Sequence, residues 1–167
     1  YSILRSSDDP TLAKRVATVA LAASSGPDAI PDLVAALDDK DPAVRFWGAT
    51  GLGTIGMKAS TTQSKLISML DDSSVVVRVA ASRALCRMSK PSAALECLTE
   101  VLTIGAQWER LHAAIVLDEV DDQAIPVLAE MKAALKPRPD LYANGKYVVR
   151  VLNRAINQIE GTSNTVP

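Results

Sequence analysis

The sequence predicts an all-α fold, a right-handed α-solenoid of stacked helix pairs, and three observations carry that prediction. A basic residue recurs at nearly constant spacing, at Lys14, Arg45, Arg78 and Arg110, in steps of 31, 33 and 32 residues. A fixed period in this range is the mark of a repeat architecture. Each of these residues is followed three positions later by a small residue (Ala17, Gly48, Ala81, Ala113) and seven later by a leucine (Leu21, Leu52, Leu85, Leu117). Those offsets fall on one face of a helix. Finally, hydrophobic residues make up 48% of the 167 residues but aromatics only 4%. The core must therefore be small and aliphatic, and Ala and Leu are strong helix formers.

The elements follow in order. Counting back from Lys14, Ser2, Ile3 and Ser6 take the places of a first helix. It is either short and frayed or cut from a longer protein, since a solenoid end without a cap exposes apolar surface. Ile30, Leu33, Val34 and Leu37 make the inner face of the next helix, with Pro31 early in it. Asp41 is a natural N-cap, with Pro42 at the first helical position. That helix runs to about Ile55 and stops at Gly56, with Val44, Gly48, Gly51, Leu52 and Ile55 inward. The plan repeats with Leu66, Ile67 and Leu70, a turn at 71–74 capped by Ser74, and Val77, Ala81, Ala84, Leu85 and Met88. A third pair has Leu95, Leu98 and Leu102, then Ala113, Val116 and Leu117. A fourth begins with Ile125, Val127, Leu128, Met131 and Leu135, and Pro137 and Pro139 break it. The last helix, Tyr147 to Ile159, departs from the pattern. Counted from Arg150, Asn153 and Asn157 stand where a small residue and a leucine belong, as suits a polar terminal cap. The repeat domain thus spans residues 1–160, as a partial first repeat and about four helix pairs, and 161–167 form a polar tail.

An aspartate precedes the first three basic residues by six positions, at Asp8, Asp39 and Asp72. An arginine has five donors and can reach the aspartate of a neighbouring repeat, which makes an Asp–Arg ladder along the stack. The alternative is a row of cations that binds anions. Arg110 lacks its aspartate, because Ile104 holds that place, and is the basic residue expected to be free.

The segments 41–52, 77–85 and 110–117, with their Asp, Val-Arg step and Ala-x-x-Ala-Leu ending, resemble HEAT repeats, closest to the short HEAT-like class. The resemblance covers residues 8–136 well and the last helix loosely. A narrower one concerns 44–52, 147–154, and 108–111 with 117–119. These are similar to HEAT-like tails behind the catalytic domain of bacterial arylsulfatase-type sulfatases. That resemblance implies a non-catalytic tail docked on its own enzyme, and an exported or periplasmic protein. Sulfatase catalysis needs Cys/Ser-x-Pro-x-Arg. Here Ser89-Lys90-Pro91-Ser92-Ala93 imitates the opening, but Ala93 replaces the arginine.

No other constellation points to catalysis, a cofactor or a metal. His112 is the single histidine, with no partner at i+4. Cys86 and Cys97 match no redox or zinc spacing and read as small buried hydrophobes, with a disulfide between adjacent helices as the alternative. Asp118, Glu119, Asp121 and Asp122 lack the spacing of a calcium loop and read as a solvated turn. Gly51-x-Gly53-x-x-Gly56 matches a dinucleotide motif in form only, since it lies inside a helix with no strand before it. The net charge of −1, from 18 basic and 19 acidic residues, opposes nucleic acid and membrane partners. Three of the six aromatics and their neighbours mark a candidate protein-contact surface: Phe46, Trp47, Trp108, Arg110, Leu111 and His112. Trp and Arg are common binding anchors. The other reading is packing between repeats. The expected function is therefore protein or interdomain contact. An independent adaptor is the alternative, and a nucleic-acid-acting protein stands behind both.

Overall fold

The computed structural model describes residues 9–24, 26–136 and 138–163, except the side chains of Tyr142 and Asn144. The expected first helix at Ser2, Ile3 and Ser6, and Asp8, lie outside these residues. Among the described residues every regular element is helical. The chain divides into two compact units, Tyr1–Lys90 and Pro91–Pro167.

The first unit contains α1 (Pro10–Ser24), α2 (Ile30–Ala36), α3 (Pro42–Ile55), α4 (Gln63–Ser68) and α5 (Val75–Arg87). Helices α1, α3 and α5 pack side by side in a row, and α2 and α4 pack on α3 and α5 respectively. This is a stack of HEAT-like helix pairs. Its core is the repeating face itself: Leu33, Leu37, Val44, Leu52, Leu66, Val77, Ala81, Ala84 and Leu85 are fully buried.

Helix α3 is the centre of the row, and glycine lets its neighbours approach. A Cβ on Gly51 would stand 2.9 Å from the Ala22 backbone of α1 and 2.7 Å from a Leu33 methyl of α2. On the other side, a Cβ on Gly53 would stand 3.0 Å from the Cα of Ala84 in α5. Gly56 then ends the helix at φ 65°. The glycines that imitate a dinucleotide motif are thus packing and capping positions.

The N-terminus of α3 is built as expected, with the Asp41 carboxylate accepting from the Ala43 amide at 2.9 Å. The matching expectation for α5 is corrected. The Ser74 side chain makes no cap bond, and Asp72 holds the turn by accepting from the Ser74 amide at 2.8 Å. The two bonds are independent, since in the equivalent turn Asp39 accepts from the Asp41 amide while Asp41 still caps its helix. Across α4 and the turn that follows it the buried pair is Leu66 and Met69, while Ile67 is exposed and Leu70 half-buried. The helix tightens into a 3₁₀ turn at Met69–Asp71, which rotates Leu70 off the core.

The second unit contains α6 (Pro91–Ile104), α7 (Gln107–Glu119), α8 (Leu128–Ala133) and α9 (Lys146–Glu160). Helix α6 packs on α7, α7 on α9, and α8 on α9. Leu95, Leu98, Leu102, Ala113, Val116 and Leu117 are buried as expected. The fourth first-helix is shorter than its apolar pattern. Residues 121–127 are a 3₁₀ stretch with Pro126 inside, and Ile125 is exposed while Ala124 and Val127 are buried. Proline removes a donor and interrupts the α ladder there.

Helix α9 corrects the expected register. Its buried residues are Val148, Leu152, Ala155 and Ile156. Their spacing equals that of Val44, Gly48, Gly51 and Leu52 if Val149, not Arg150, stands in the basic position. Counting from the arginine set the frame one residue late. Asn153 and Asn157 are therefore half-buried flanks of the core rather than its members.

Candidate protein-contact site

The ladder is present in the first unit, and its geometry defines what a complete rung is. The Nε and Nη2 of Arg45 donate to both oxygens of Asp72, at 2.7 and 2.8 Å. Its Nη1 donates to the Asp39 and Lys40 carbonyls at 2.9 and 3.1 Å. The basic residue thus binds the backbone of its own repeat and the carboxylate of the following one. Lys14 pairs in the same sense with Asp39, whose carboxylate also accepts from the Asp41 amide at 2.8 Å. A second rung lies beside it, from Arg15 Nε to Asp41 at 2.6 Å.

These contacts set the charge states. The hydrogen bond from Lys14 and the Asp41 amide hold the Asp39 carboxyl below the usual range. Arg15 and the Ala43 amide do the same for Asp41. Burial pushes Asp72 up, but the Arg45 and Ser74 hydrogen bonds outweigh it and leave its pKa lowered.

Arg110 is different, though not for the reason its sequence context suggests. Carboxylates come from the following repeat, so Ile104 is not the partner Arg110 lost. Nor is Arg110 a solvated cation: it is 3% exposed. Its Nη1 donates to its own repeat's Thr103 carbonyl at 3.3 Å, half of the Arg45 arrangement. The other half is missing, because its buried Nε has no acceptor among the described residues. Arg138 reaches the same carbonyl at 3.4 Å and grips Asp140 at 2.8 and 2.7 Å. Burial, and then the Arg138 guanidinium, lower the Arg110 pKa against a counter-pull from Asp140. The Arg138 hydrogen bond holds the Asp140 carboxyl down at about 2.

The other surface candidates divide between the units. Phe46 and Trp47 belong to the first; both are half-buried and meet edge to face, with ring centres 5.3 Å apart at 83°. Trp108, Leu111 and His112 belong to the second. Trp108 is 63% exposed, His112 exposed and Leu111 half-buried. The neighbouring turn also exposes Ile104, at 68%, which sequence reasoning placed only as a missing aspartate. Glu109 fixes this turn by accepting from the Ala106 amide at 2.7 Å.

The acidic cluster at 118–122 is not simply a solvated turn. Asp118 is buried and pairs with Arg154 of α9, whose Nε donates at 2.9 Å, and Asp121 accepts from Gln158 at 2.7 Å. Two of the four acids therefore dock the last helix. Among the described residues no group of three or more His, Cys, Asp or Glu could hold a metal ion. Cys86 and Cys97 are both buried and form no disulfide with each other, and burial raises the Cys86 thiol to about 11. No helix of the described residues is long and apolar enough to cross a membrane.

Helix pairs stacked through such a ladder give the first unit a HEAT-like all-α fold. A family model of HEAT repeats matches residues 1–63. No curated protein matches the chain. HEAT repeats generally mediate protein–protein interactions.

Proposed function

We propose that residues 1–160 act as one non-catalytic HEAT-like domain that holds a protein partner, with 161–167 as a tail. The observation that carries this is the turn between α6 and α7. It places Ile104 and Trp108 largely in solvent on a turn fixed by Glu109. Exposing two large apolar side chains on a rigid turn has no folding benefit, and a Trp that loses water on contact is a strong anchor. Trp108→Ser should weaken partner binding at least about tenfold while leaving the fold intact, because its side chain supports little of the core. Unchanged binding by a folded variant would overturn the assignment.

The partner we favour is the catalytic domain of an arylsulfatase-type hydrolase joined to this chain. Support comes from the similarity of 44–52, 108–111 and 147–154 to the tails of such enzymes. Sequencing the encoding gene upstream of Tyr1 tests this: a Cys/Ser-x-Pro-x-Arg motif supports it, and a start codon directly before Tyr1 sinks it. An independent adaptor would then be the remaining reading, with the same turn as its contact.

A further inference from the structure

We propose that the α7–α9 face of the second unit holds an acidic segment of a protein partner. The segment's apolar side chains seat on Trp108, Ile115 and Tyr147, and its carboxylates meet Lys146 and Arg150. This names the chemistry of the partner and rests on the contact reading of Trp108. The register of α9 brings these residues together. With Val149 in the basic position, Tyr147, Val151 and Arg154 are the equivalents of Trp108, His112 and Ile115. Helix α9 packs on α7, and Arg154 and then Gln158 of α9 bond Asp118 and then Asp121. The two helices therefore run parallel, and equivalent positions lie side by side. Trp108, His112 and Ile115 stand at i, i+4 and i+7, one stripe along α7, and all three are exposed. On α9, Tyr147 is exposed, and so are Lys146, Arg150 and Arg154, which recur every four residues. An apolar stripe thus lies beside a cationic one.

The partner's charge follows from the cations. Arg154 is engaged by Asp118, but among the described residues Lys146 and Arg150 have no ion pair. Lys146 opens α9, whose first turn holds no acid. A cation there meets the positive end of the helix dipole, so it weakens the helix rather than supporting it. Neighbouring carboxylates do not offset the two charges. Asp118 is taken by Arg154, Asp121 by Gln158 and Glu109 by the Ala106 amide, and Glu119 lies at the far end of α7. The face therefore offers two exposed rings and an aliphatic side chain beside two uncompensated positive charges. Apolar contact alone would accept any hydrophobic surface. The flanking cations select one that carries carboxylates and repel a basic one. Aromatic anchors with a charged rim are also the usual build of a protein contact.

Selection of a displayed library of random dodecapeptides on the whole folded chain provides the test. The enriched peptides should carry Asp or Glu together with apolar residues. A fluorescent copy of the most enriched one should bind saturably by anisotropy, and the same peptide with Asn and Gln for its acids at least about tenfold more weakly. Raising the salt from about 50 to about 300 mM should weaken the acidic copy about threefold or more and leave the neutral one unchanged. Lys146→Ala with Arg150→Ala should weaken the acidic copy about tenfold, while Lys58→Ala, an exposed cation of the first unit, should not. Should the double variant fail to fold, the salt series on the unaltered chain decides by itself. The proposal is overturned if no peptide is enriched, or if the enriched ones are neutral or basic. It is also overturned by tighter binding to oligothymidylate or to vesicles with about 30 mol% phosphatidylserine than to the peptide. Binding lost in Trp108→Ser but kept in the double variant removes the acidic partner and leaves the contact reading standing. Binding kept in Trp108→Ser removes both.

Discussion

Arg45 and Asp72 leave water together, with side chains 13% and 6% exposed. Such a pair is weak evidence for net stability, but breaking it strands one charge in a low-dielectric setting. Asp72→Ala should therefore cost about 3–5 kcal/mol in a denaturant titration. In Arg45→Met with Asp72→Ala the loss should be well below the sum of the two single losses, because no charge is then stranded. Additive losses would mean that the rung does not couple the two repeats. The rung was legible in sequence because it repeats at the fold's own period. Arg110 was only half legible. Its spacing marked it as an exception, yet exposure was read where burial occurs, because spacing carries no information on which repeat supplies the partner. Asp118 with Arg154 was missed altogether: a pair 36 residues apart occurs once, so no period announces it.

At the scale of the element, the face of a helix is set by what it buries, and basic residues only label it. Helix α9 shows this. The arginine label predicts Asn153 as a core position, while burial places Leu152 there, fully covered. Leu152→Ala should cost about 2–5 kcal/mol and Asn153→Ala no more than about 0.5, measured by chemical unfolding. The reverse ranking would restore the arginine frame. Helix α3 makes the complementary point, since its close approaches were visible as glycines but not as contacts. Gly51→Ala gains about 1 kcal/mol of helix propensity. Its new Cβ meets the Ala22 backbone at 2.9 Å, which cannot retreat without moving α1. The net effect should be a loss of about 1–3 kcal/mol. Gly26→Ala is the control. Its backbone is extended at φ −89° and its Cβ meets nothing closer than 4.0 Å. It should leave stability unchanged, or raise it by up to about 0.5 kcal/mol.

For the molecule as a whole, the ladder makes stability a function of pH in one direction. Asp39, Asp41 and Asp72 all have pKa values lowered in the folded chain by their cationic and amide partners. An unfolded aspartate titrates near 3.9, so between that value and the lower folded pKa the unfolded chain binds more protons. The stabilisation from these groups is then fully present above about pH 5, and it is lost as pH falls through the folded pKa values. The basic partners do not alter this sign, because Arg15 and Arg45 are raised further above any working pH. Thermal unfolding should therefore give a flat Tm from about pH 8 to 5 and a steep fall below it. Asp72→Asn separates this origin from general acid repulsion. It removes one proton-linked rung while keeping the side-chain shape, so its Tm should start lower at pH 7 and fall less steeply below pH 5. A variant curve parallel to the wild type would place the acid sensitivity outside the ladder, and the repeat period would then fix the packing of the helices without governing how the stack comes apart.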